Sequence, residues 1–210
     1  MSIAQTIASL LLDAKAVKLS PEKPFKWSSG WNSPIYCDNR VTLSFPETRT
    51  FIKNALVEAI KTHFPAAEAI AGVATAGIPQ GALVADVLGL PFFYVRPKPK
   101  DHGMGNQIEG KLTNGQQVVL VEDLISTGGS SLKAADAILQ AGGQVLGMAA
   151  IFTYGFEVAA ENFRQKNIEL VCLSNYEVLL AEALQRGYIQ SEAVEKLTEW
   201  RQNPAEWSLD

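Results

Sequence analysis

The sequence has few cysteines and no excess of basic residues, and each of these features excludes a class of protein. Only two cysteines occur in 210 residues, and these two, Cys37 and Cys172, lie far apart in apolar surroundings. This placement favours two buried thiols over a disulfide or a metal site. The formal net charge is −4, so bulk electrostatic attraction to nucleic acid is not expected.

Long hydrophobic runs are also missing. No apolar stretch is long enough to span a bilayer, and the first predicted helix contains Asp13 and Lys15 rather than the pattern of a signal peptide. We therefore expect a cytoplasmic protein with no membrane partner. The sequence has no internal repeat and no low-complexity linker. A chain of 210 residues that is 47% hydrophobic can bury a sizeable core, which predicts a single domain over residues 1–210.

The most informative stretch is 117–131, with the sequence QVVLVEDLISTGGSS. Its apolar run from Val118 to Val121 is typical of a strand that is buried on both faces of a parallel sheet. Two carboxylates, Glu122 and Asp123, stand where we expect this strand to end. After a short loop, a helix is predicted by the spacing of four apolar residues, Leu132, Ala135, Ile138 and Leu139.

The loop between this strand and helix has the chemistry of a phosphate cradle. Small residues let backbone N–H groups close around an anion, hydroxyls add donors, and the N-terminus of the new helix carries partial positive charge. By itself, TGGS is more often an ordinary turn with a capping hydroxyl. No Lys follows the glycines, so the P-loop pattern is not met. The adjacent carboxylates would repel a phosphate unless they bound a divalent cation or sugar hydroxyls, which favours a phosphorylated sugar with Mg²⁺.

A second strand and turn precede this stretch. Ala69 to Val73 reads as a buried strand, and Ala74-Thr75-Ala76-Gly77 connects it to a helix predicted from Gln80 to Leu88, which ends at Gly89. Taken alone, this pattern is more often a plain turn, and a second anion site is the alternative.

The third predicted strand, Pro91 to Arg96, leads into a segment unlike the rest of the chain. Residues 97–110 contain three glycines and little to bury, which predicts an exposed mobile loop. Arg96, Lys98, Lys100 and His102 alternate along it, and in an extended loop this spacing directs several cations to one target. A solvated surface loop is the alternative.

Strands and helices alternate over the remaining chain, which predicts a three-layer α/β fold with a parallel sheet and ligands at the carboxyl ends of its strands. The expected elements begin with an amphipathic helix from Ile3 to Val17 and a surface-exposed His63 at a helix end. Capping boxes are predicted at Ser44–Glu47 and Ser174–Glu177. The other predicted elements are a strand at 145–153, a helix at 156–165, a strand at 170–173 and helices at 176–185 and 191–202, the last as a peripheral packing element.

Four motifs together resemble the phosphoribosyltransferases of the type I fold. VVLVEDLISTGGSS is similar to the family signature of hydrophobic strand, two acids and Thr-Gly-rich phosphate loop. GVATAGIP resembles the loop that holds pyrophosphate in the family. The pattern R-x-K-x-K-x-HG-x-G resembles a loop that closes over pyrophosphate in the neighbouring subunit. FKWSSGWNSPIYCDNR is similar to the hood that covers the base in orotate-using members, which here would span about residues 1–40.

The resemblance implies an activity. The expected reaction is the transfer of ribose 5-phosphate from 5-phosphoribosyl 1-diphosphate to orotate, which gives orotidine 5′-monophosphate and diphosphate in de novo pyrimidine (UMP) biosynthesis. The family also implies Mg²⁺ held mainly through the substrate rather than by direct protein ligands. A homodimer with loops shared across the interface is expected.

The same resemblance assigns site residues. The implied catalytic residues are Lys100, His102 and Asp123, and Ser126 would contact orotate. Residues 74–77 (Ala74, Thr75, Ala76 and Gly77) would form the diphosphate loop. Binding of 5-phosphoribosyl 1-diphosphate is implied for Arg96, Lys100, His102, Glu122, Asp123, Leu124, Ile125, Ser126, Thr127, Gly128, Gly129 and Ser130.

The sequence departs from the family pattern in three places. Some members carry Lys where this chain has Ser28 and Pro97, and Lys26 or Lys98 are the candidate substitutes. An Arg that clamps the orotate carboxylate in the family has no clear match in Phe152–Gly155.

Two rival functions remain. One is a purine phosphoribosyltransferase, which the hood disfavours. The other is a non-catalytic regulator that binds 5-phosphoribosyl 1-diphosphate, which the loop with His102 disfavours.

Overall fold

The computed structural model describes residues 1–27, 30–98 and 107–207. The predicted loop residues Lys100 and His102 lie outside this part of the chain. The helices are α1 (Ile3–Asp13), α2 (Pro46–His63), α3 (Gly77–Leu88), α4 (Gly129–Gln140), α5 (Glu157–Gln165), α6 (Tyr176–Gln185) and α7 (Ser191–Gln202). The strands are β1 (Val17–Leu19), β2 (Phe25–Lys26), β3 (Asn32–Ser33), β4 (Ile35–Cys37), β5 (Ala69–Val73), β6 (Phe92–Val95), β7 (Ile108–Glu109), β8 (Gln117–Ile125), β9 (Gln144–Thr153) and β10 (Glu169–Asn175).

The main sheet has the strand order β10-β9-β8-β5-β6-β7. All neighbouring pairs are parallel except β6 and β7, which are antiparallel at the edge. The three-layer α/β prediction is therefore confirmed, and the antiparallel edge strand is the one correction to a wholly parallel sheet. As predicted, β8 is central, because it pairs with β5 on one side and with β9 on the other.

Alternate residues of β8 face two different cores, since successive side chains of a strand point to opposite faces. Val119 and Val121 pack in the core formed with α1, α2, α3 and α6. Val118 and Leu120 pack on the other face with α4 and α5. All four side chains are fully buried. This double burial explains the uninterrupted apolar run that precedes the acid pair.

The N-terminal segment forms two small antiparallel strand pairs, β1 with β4 and β2 with β3. The resemblance gave the hood as about residues 1–40; from here on the hood denotes residues 17–44, up to the end of the 3-10 helix Asn39–Ser44. Helix α1 packs mainly against β10 at the edge of the main sheet and against α6, and it also contacts β1. Its Ala4 carbonyl accepts a hydrogen bond from Ser174 Oγ at 2.8 Å, and Ser9 Oγ donates to Glu182 at 2.6 Å.

Several predicted boundaries are wrong by a few residues. Helix α1 ends at Asp13, and Val17 instead pairs with Cys37 in the hood. Helix α3 starts at Gly77, three residues before the predicted Gln80. Strand β8 does not end at the acid pair, because β9 continues beside it to Ile125 and keeps its backbone groups paired.

Both predicted capping boxes are also wrong. Helix α2 begins at Pro46 after Phe45, and no side chain caps it, so Ser44 has no capping role there. Helix α6 is capped by Asn175, whose side chain accepts from Val178 N at 3.0 Å, while Ser174 bonds to α1. The predicted end of α3 at Gly89 is confirmed, and Gly89 is left-handed. Pro46 is the first residue of α2.

The positions of His63 and the two cysteines complete the description. His63 is exposed at the end of α2, as predicted, and its Nδ1 lies 3.1 Å from Glu169 Oε1. Cys37 and Cys172 are free and partly buried. Across residues 1–27, 30–98 and 107–207, none of the helices combines the length and apolar character needed to cross a membrane.

Candidate active site

The acid pair lies in the last part of the central strand β8, shortly before its end at Ile125. Glu122 is 6% exposed. Its Oε1 accepts from the backbone N–H of Asp123 and its Oε2 accepts from Ser131 Oγ, each at 3.0 Å. Ser131 belongs to the first turn of α4, so Glu122 connects β8 to the start of the helix that follows it. This contact orients the acid pair relative to the loop between the two elements.

The two carboxyls have perturbed proton affinities. Burial, followed by the adjacent charge of Asp123, raises the pKa of Glu122 well above its usual range. Burial also raises the pKa of Asp123, against the opposing influence of Glu122 and the nearby Arg40. Two buried carboxylates side by side repel each other. The pair is therefore suited to a ligand that supplies positive charge or hydrogen-bond donors.

The loop from Ser126 to Gly128 leads directly into α4. Gly128 has φ of +78°, and a Cβ built on it would lie 2.7 Å from the Phe163 ring, so both its backbone and its surroundings favour glycine. Asn162 Nδ2 donates to the Thr127 carbonyl at 3.0 Å and fixes the loop from the α5 side. Helix α4 has Gly128 as its N-cap and no side-chain cap. Its N-terminus is therefore suited to an anion.

The predicted diphosphate loop, 74–77, lies against the acid pair. A Cβ on Gly77 would overlap the Val121 carbonyl oxygen and lie 3.3 Å from Glu122 Cα, so only glycine permits this approach. The backbone N–H of Ala74 donates to Val95 O at 2.9 Å. The Ala74–Thr75 peptide bond is cis. The start of α3 therefore lies directly against the backbone of β8 at Val121 and Glu122.

A cavity of about 650 Å³ joins the hood to the phosphate loop. Its floor includes Leu124, Ser126 and Thr127, three of the residues singled out in the sequence, and Lys26 contributes a cation. The full lining is Lys26, Trp27, Trp31, Tyr36, Cys37, Leu124, Ser126, Thr127 and Tyr154. The cavity is thus mainly aromatic on one side and hydroxyl-bearing on the other. A planar base with polar substituents fits such a lining.

Trp200 supports this cavity and was missed as a site residue. The sequence predicted α7 as peripheral packing, yet Trp200 is fully buried. Its ring lies edge-on to Trp27 at 5.5 Å and to Tyr154 at 5.7 Å between centroids. Its Nε1 donates to Asn32 O of the hood at 3.1 Å. No local sequence signal distinguishes Trp200 from an ordinary core residue of an amphipathic helix.

Not all predicted residues gather at the cavity. Arg96 follows β6, its Nη1 lies 3.5 Å from Glu109 Oε1, and it does not line the cavity. The Ile125 side chain is fully buried in the core and does not line the cavity. Gly129 and Ser130 are exposed at the start of α4. The positions of Lys100 and His102 lie outside the described residues.

Comparison with known proteins agrees with this arrangement. Residues 49–180 match the family described as the phosphoribosyl transferase domain. Relatives named orotate phosphoribosyltransferase are 59% identical over 207 residues in Cytophaga hutchinsonii and 55% identical over 208 residues in Porphyromonas gingivalis, each covering 99% of both chains. The crystal structure of orotate phosphoribosyltransferase from Aeropyrum pernix superposes with a TM-score of 0.76 at 29% identity, covering 88% of this chain and 99% of that one.

The parallel sheet, the acid pair and the glycine-rich loop, together with the domain match, define a phosphoribosyltransferase of the type I fold. The full-length identities narrow this class further. The chain belongs to the orotate phosphoribosyltransferase family.

Proposed function

We propose that this protein transfers the ribose 5-phosphate of 5-phosphoribosyl 1-diphosphate to orotate, with Mg²⁺, to give orotidine 5′-monophosphate and diphosphate. The observation that carries the proposal is the cavity that lies between the hood and the phosphate loop. Its lining combines an aromatic wall and a cation with the hydroxyls of a phosphate-type loop, and the buried Glu122 and half-buried Asp123 directly precede its lining residue Leu124. Each part suits a different part of the two substrates: the planar base, the 5-phosphate and the ribose hydroxyls.

The acid pair would hold the sugar. Asp123 would accept hydrogen bonds from the ribose hydroxyls, while Glu122, which already binds Ser131 and the Asp123 N–H, would hold Asp123 in place. The 5-phosphate would bind at residues 126–130, where the helix N-terminus favours an anion. The sugar carbon C1 would then lie between the base cavity and the diphosphate loop.

The reaction needs little covalent help from the protein. The C1–O bond to diphosphate breaks with its electron pair going to the leaving oxygen. A C1–N1 bond to orotate forms, and the N1–H bond of orotate breaks as its proton passes to the departing diphosphate. The ribose becomes oxocarbenium-like as the leaving group gains negative charge, so charge stabilisation and exclusion of water supply most of the acceleration. The loop cations Arg96, Lys100 and His102 are proposed for this role, and for Lys100 and His102 it rests on the sequence alone.

The residues fit a Mg²⁺ ion that arrives with the substrate. Among the described residues, no group of three or more His, Cys, Asp or Glu side chains is placed to hold a metal. Oxygens of the ribose and diphosphate would hold the ion, with Asp123 as the neighbouring carboxylate. When bound, Mg²⁺ neutralises charge on the departing diphosphate.

Lys26 is the proposed partner of the orotate carboxylate. Of the two candidate substitutes for the missing family lysines, Lys26 lines the cavity and Lys98 does not. It is also the one charged residue in the described lining of that cavity. A cation in this position favours an anionic pyrimidine over the uncharged purine bases. This preference supports orotate over the purine alternative.

Three further expectations remain predictions. These are the homodimer with loops shared between subunits, the single domain over residues 1–210, and the cytoplasmic location. The regulator alternative differs from the enzyme in one measurable respect, because a sensor binds 5-phosphoribosyl 1-diphosphate without consuming it.

The proposal is tested by following the ultraviolet absorbance of orotate with 5-phosphoribosyl 1-diphosphate and Mg²⁺. Orotate should be consumed, a chelator should stop the reaction, and adenine or hypoxanthine should not replace orotate. Turnover of a purine without turnover of orotate would show that the substrate assignment is wrong.

A further inference from the structure

Asn39 connects the hood to the acid pair. It begins the 3-10 helix Asn39–Ser44 directly after β4 and is 1% exposed. Its Nδ2 donates to the backbone carbonyl of Asp123 at 2.7 Å, across 84 residues of sequence. Its Oδ1 accepts from Cys37 Sγ at 3.2 Å. Both polar atoms of this buried amide are therefore used, one toward each half of the site.

The orientation of this amide follows from the chemistry of its partners. A carbonyl can only accept, so the NH₂ group must face Asp123, and a thiol S–H then suits the amide oxygen. Thr42 Oγ1 donates to the Asn39 carbonyl at 2.6 Å and holds its backbone as well. Asn39 is thus fixed at both its main chain and its side chain.

The contact falls where β8 has lost a strand neighbour. Pairing between β5 and β8 ends at Val121, because β5 ends at Val73 and the chain continues from there into the diphosphate loop. Asp123 lies two residues farther along β8, and Asn39 supplies a donor to its carbonyl. A side chain from the hood therefore helps to hold the backbone from which the Asp123 carboxylate projects.

The amide oxygen of Asn39 is bonded to a residue of the base cavity. Cys37, which donates to Asn39, lines that cavity together with its neighbour Tyr36. Arg40, the residue after Asn39, is held by Asp38 through bonds of 2.6 and 2.8 Å. The positive charge of Arg40 lowers the pKa of Asp123 and so opposes the effect of burial, which raises it. One short turn of the hood thus reaches both the base side and the sugar side.

We propose that Asn39 is a positioning residue, which holds the Asp123 backbone so that its carboxylate meets the ribose hydroxyls, and thereby ties the hood to sugar binding. This inference rests on the proposed role of Asp123. A neutral hydrogen bond lost from such a link corresponds to a roughly three- to tenfold effect. Asn39→Ala should therefore raise the Kd and KM for Mg²⁺–5-phosphoribosyl 1-diphosphate by about that factor and leave the KM for orotate nearly unchanged.

A double-mutant cycle with Asp123→Ala tests the link, because Asn39 cannot position a side chain that is absent. Binding of 5-phosphoribosyl 1-diphosphate with Mg²⁺ is measured by calorimetry in all four proteins. In the Asp123→Ala background, Asn39→Ala should raise the Kd for 5-phosphoribosyl 1-diphosphate by less than about twofold. This smaller effect is the non-additivity expected of coupled neighbours. Equal costs in the two backgrounds would contradict the inference.

Ser33→Ala is the matched control. Ser33 is a fully buried hood residue whose hydroxyl bonds only to Ile35 among the described contacts. Its removal should lower the melting temperature and have the same effect on binding in both backgrounds. Asn39→Ser, which keeps a polar group but is too short to reach Asp123, should reproduce the effect of Asn39→Ala. If both Asn39 variants fail to fold, Asn39 is a structural residue and the inference is wrong.

The outcomes separate this inference from the proposed function. If the wild type binds 5-phosphoribosyl 1-diphosphate but does not use orotate, and the cycle is non-additive, the substrate assignment is wrong and the role of Asn39 holds. If orotate is consumed and the cycle is additive, the function holds and the role of Asn39 is wrong. No binding of 5-phosphoribosyl 1-diphosphate would overturn both.

Discussion

At the scale of single residues, Asp123 is the side chain on which the chemistry most depends. Its proposed bonds to ribose hydroxyls are charge-assisted, and losing one costs about 1.5–3 kcal/mol. Asp123→Asn should therefore lower kcat/KM by roughly ten- to a hundredfold in steady-state assays while circular dichroism stays native. Wild-type activity would remove Asp123 from the site, and an unfolded variant would indicate a structural carboxylate.

The acid pair also predicts how stability depends on pH. Both carboxyls have folded-state pKa values above their usual ones, chiefly because of burial. The protonated pair is therefore favoured in the folded state, and this contribution is lost as pH rises through the raised pKa values. Above the ordinary pKa values of the two carboxyls, the raised folded-state pKa values cost stability, so Asp123→Asn should have a higher Tm than the wild type at neutral pH.

The gain in Tm should disappear below about pH 4, where the carboxyls are protonated in folded and unfolded chains alike. For a protein of this size, each 1 kcal/mol corresponds to about 2–4 °C. Thermal melts of the two proteins across this pH range check the prediction. A lower Tm for Asp123→Asn at neutral pH would mean that the pair is stabilising.

Lys26 should determine affinity for the base. If it pairs with the orotate carboxylate, Lys26→Gln removes a charge-assisted bond and should raise the KM for orotate by roughly tenfold or more. The KM for 5-phosphoribosyl 1-diphosphate should change little. Lys18→Gln is the control, since Lys18 is exposed on β1 of the same hood and does not line the cavity. Equal effects of the two substitutions would count against a specific contact.

At the scale of elements, α7 positions the base cavity from behind. Trp200 holds Trp27 and Tyr154 edge-on and bonds to Asn32, so Trp200→Leu should loosen the aromatic wall. Aromatic pairs contribute about 0.5–1.5 kcal/mol beyond burial, which corresponds to a roughly two- to tenfold rise in the KM for orotate.

Leu197→Ala is the control for this element. Leu197 is fully buried on the same helix and is not among the residues that line the cavity. Both variants should melt at lower temperature, because each leaves a space in the core. A rise in the KM for orotate in both variants alike would show that α7 acts only through general stability.

The sequence predicted those elements whose signal is local. Burial on both faces identifies β8, and small residues between strand and helix identify the loops at 74–76 and 126–128. The capping boxes failed because a cap depends on the backbone angles of one residue, which neighbouring chain segments decide. Asn175 caps α6 because Ser174 is already bonded to α1.

Long-range contacts account for what the sequence could not show. Trp200 reaches Asn32 over 168 residues, and Asn39 reaches Asp123 over 84 residues. Neither pairing leaves a periodic or compositional trace, since a Trp on an amphipathic helix and an Asn after a strand are ordinary in their local context. These two residues connect the hood to the rest of the site.

At the scale of the whole molecule, the sequence predicts that a loop from one subunit completes the site of the other. Lys100→Ala and Asp123→Asn should each be nearly inactive alone. In a hybrid dimer, the normal loop of the Asp123→Asn chain reaches the partner's intact acid pair, so one of the two sites is whole. Random reassortment makes about half the dimers hybrid, and activity should recover to roughly a quarter of wild type.

Subunit exchange itself must be shown, for example by energy transfer between labelled chains. Exchange without recovered activity would mean that each loop serves its own subunit, or that the protein is not a two-fold dimer.

The central claim is that the aromatic cavity, the acid pair and the phosphate loop form one site that joins orotate to the sugar. It is tested most directly by phosphorus NMR of a reaction that contains orotate, 5-phosphoribosyl 1-diphosphate and Mg²⁺. The account predicts orotidine 5′-monophosphate and diphosphate in equal amounts, and neither product with the Asp123→Ala variant on the same timescale. Release of ribose 5-phosphate and diphosphate without nucleotide, or binding of 5-phosphoribosyl 1-diphosphate without turnover, would contradict it.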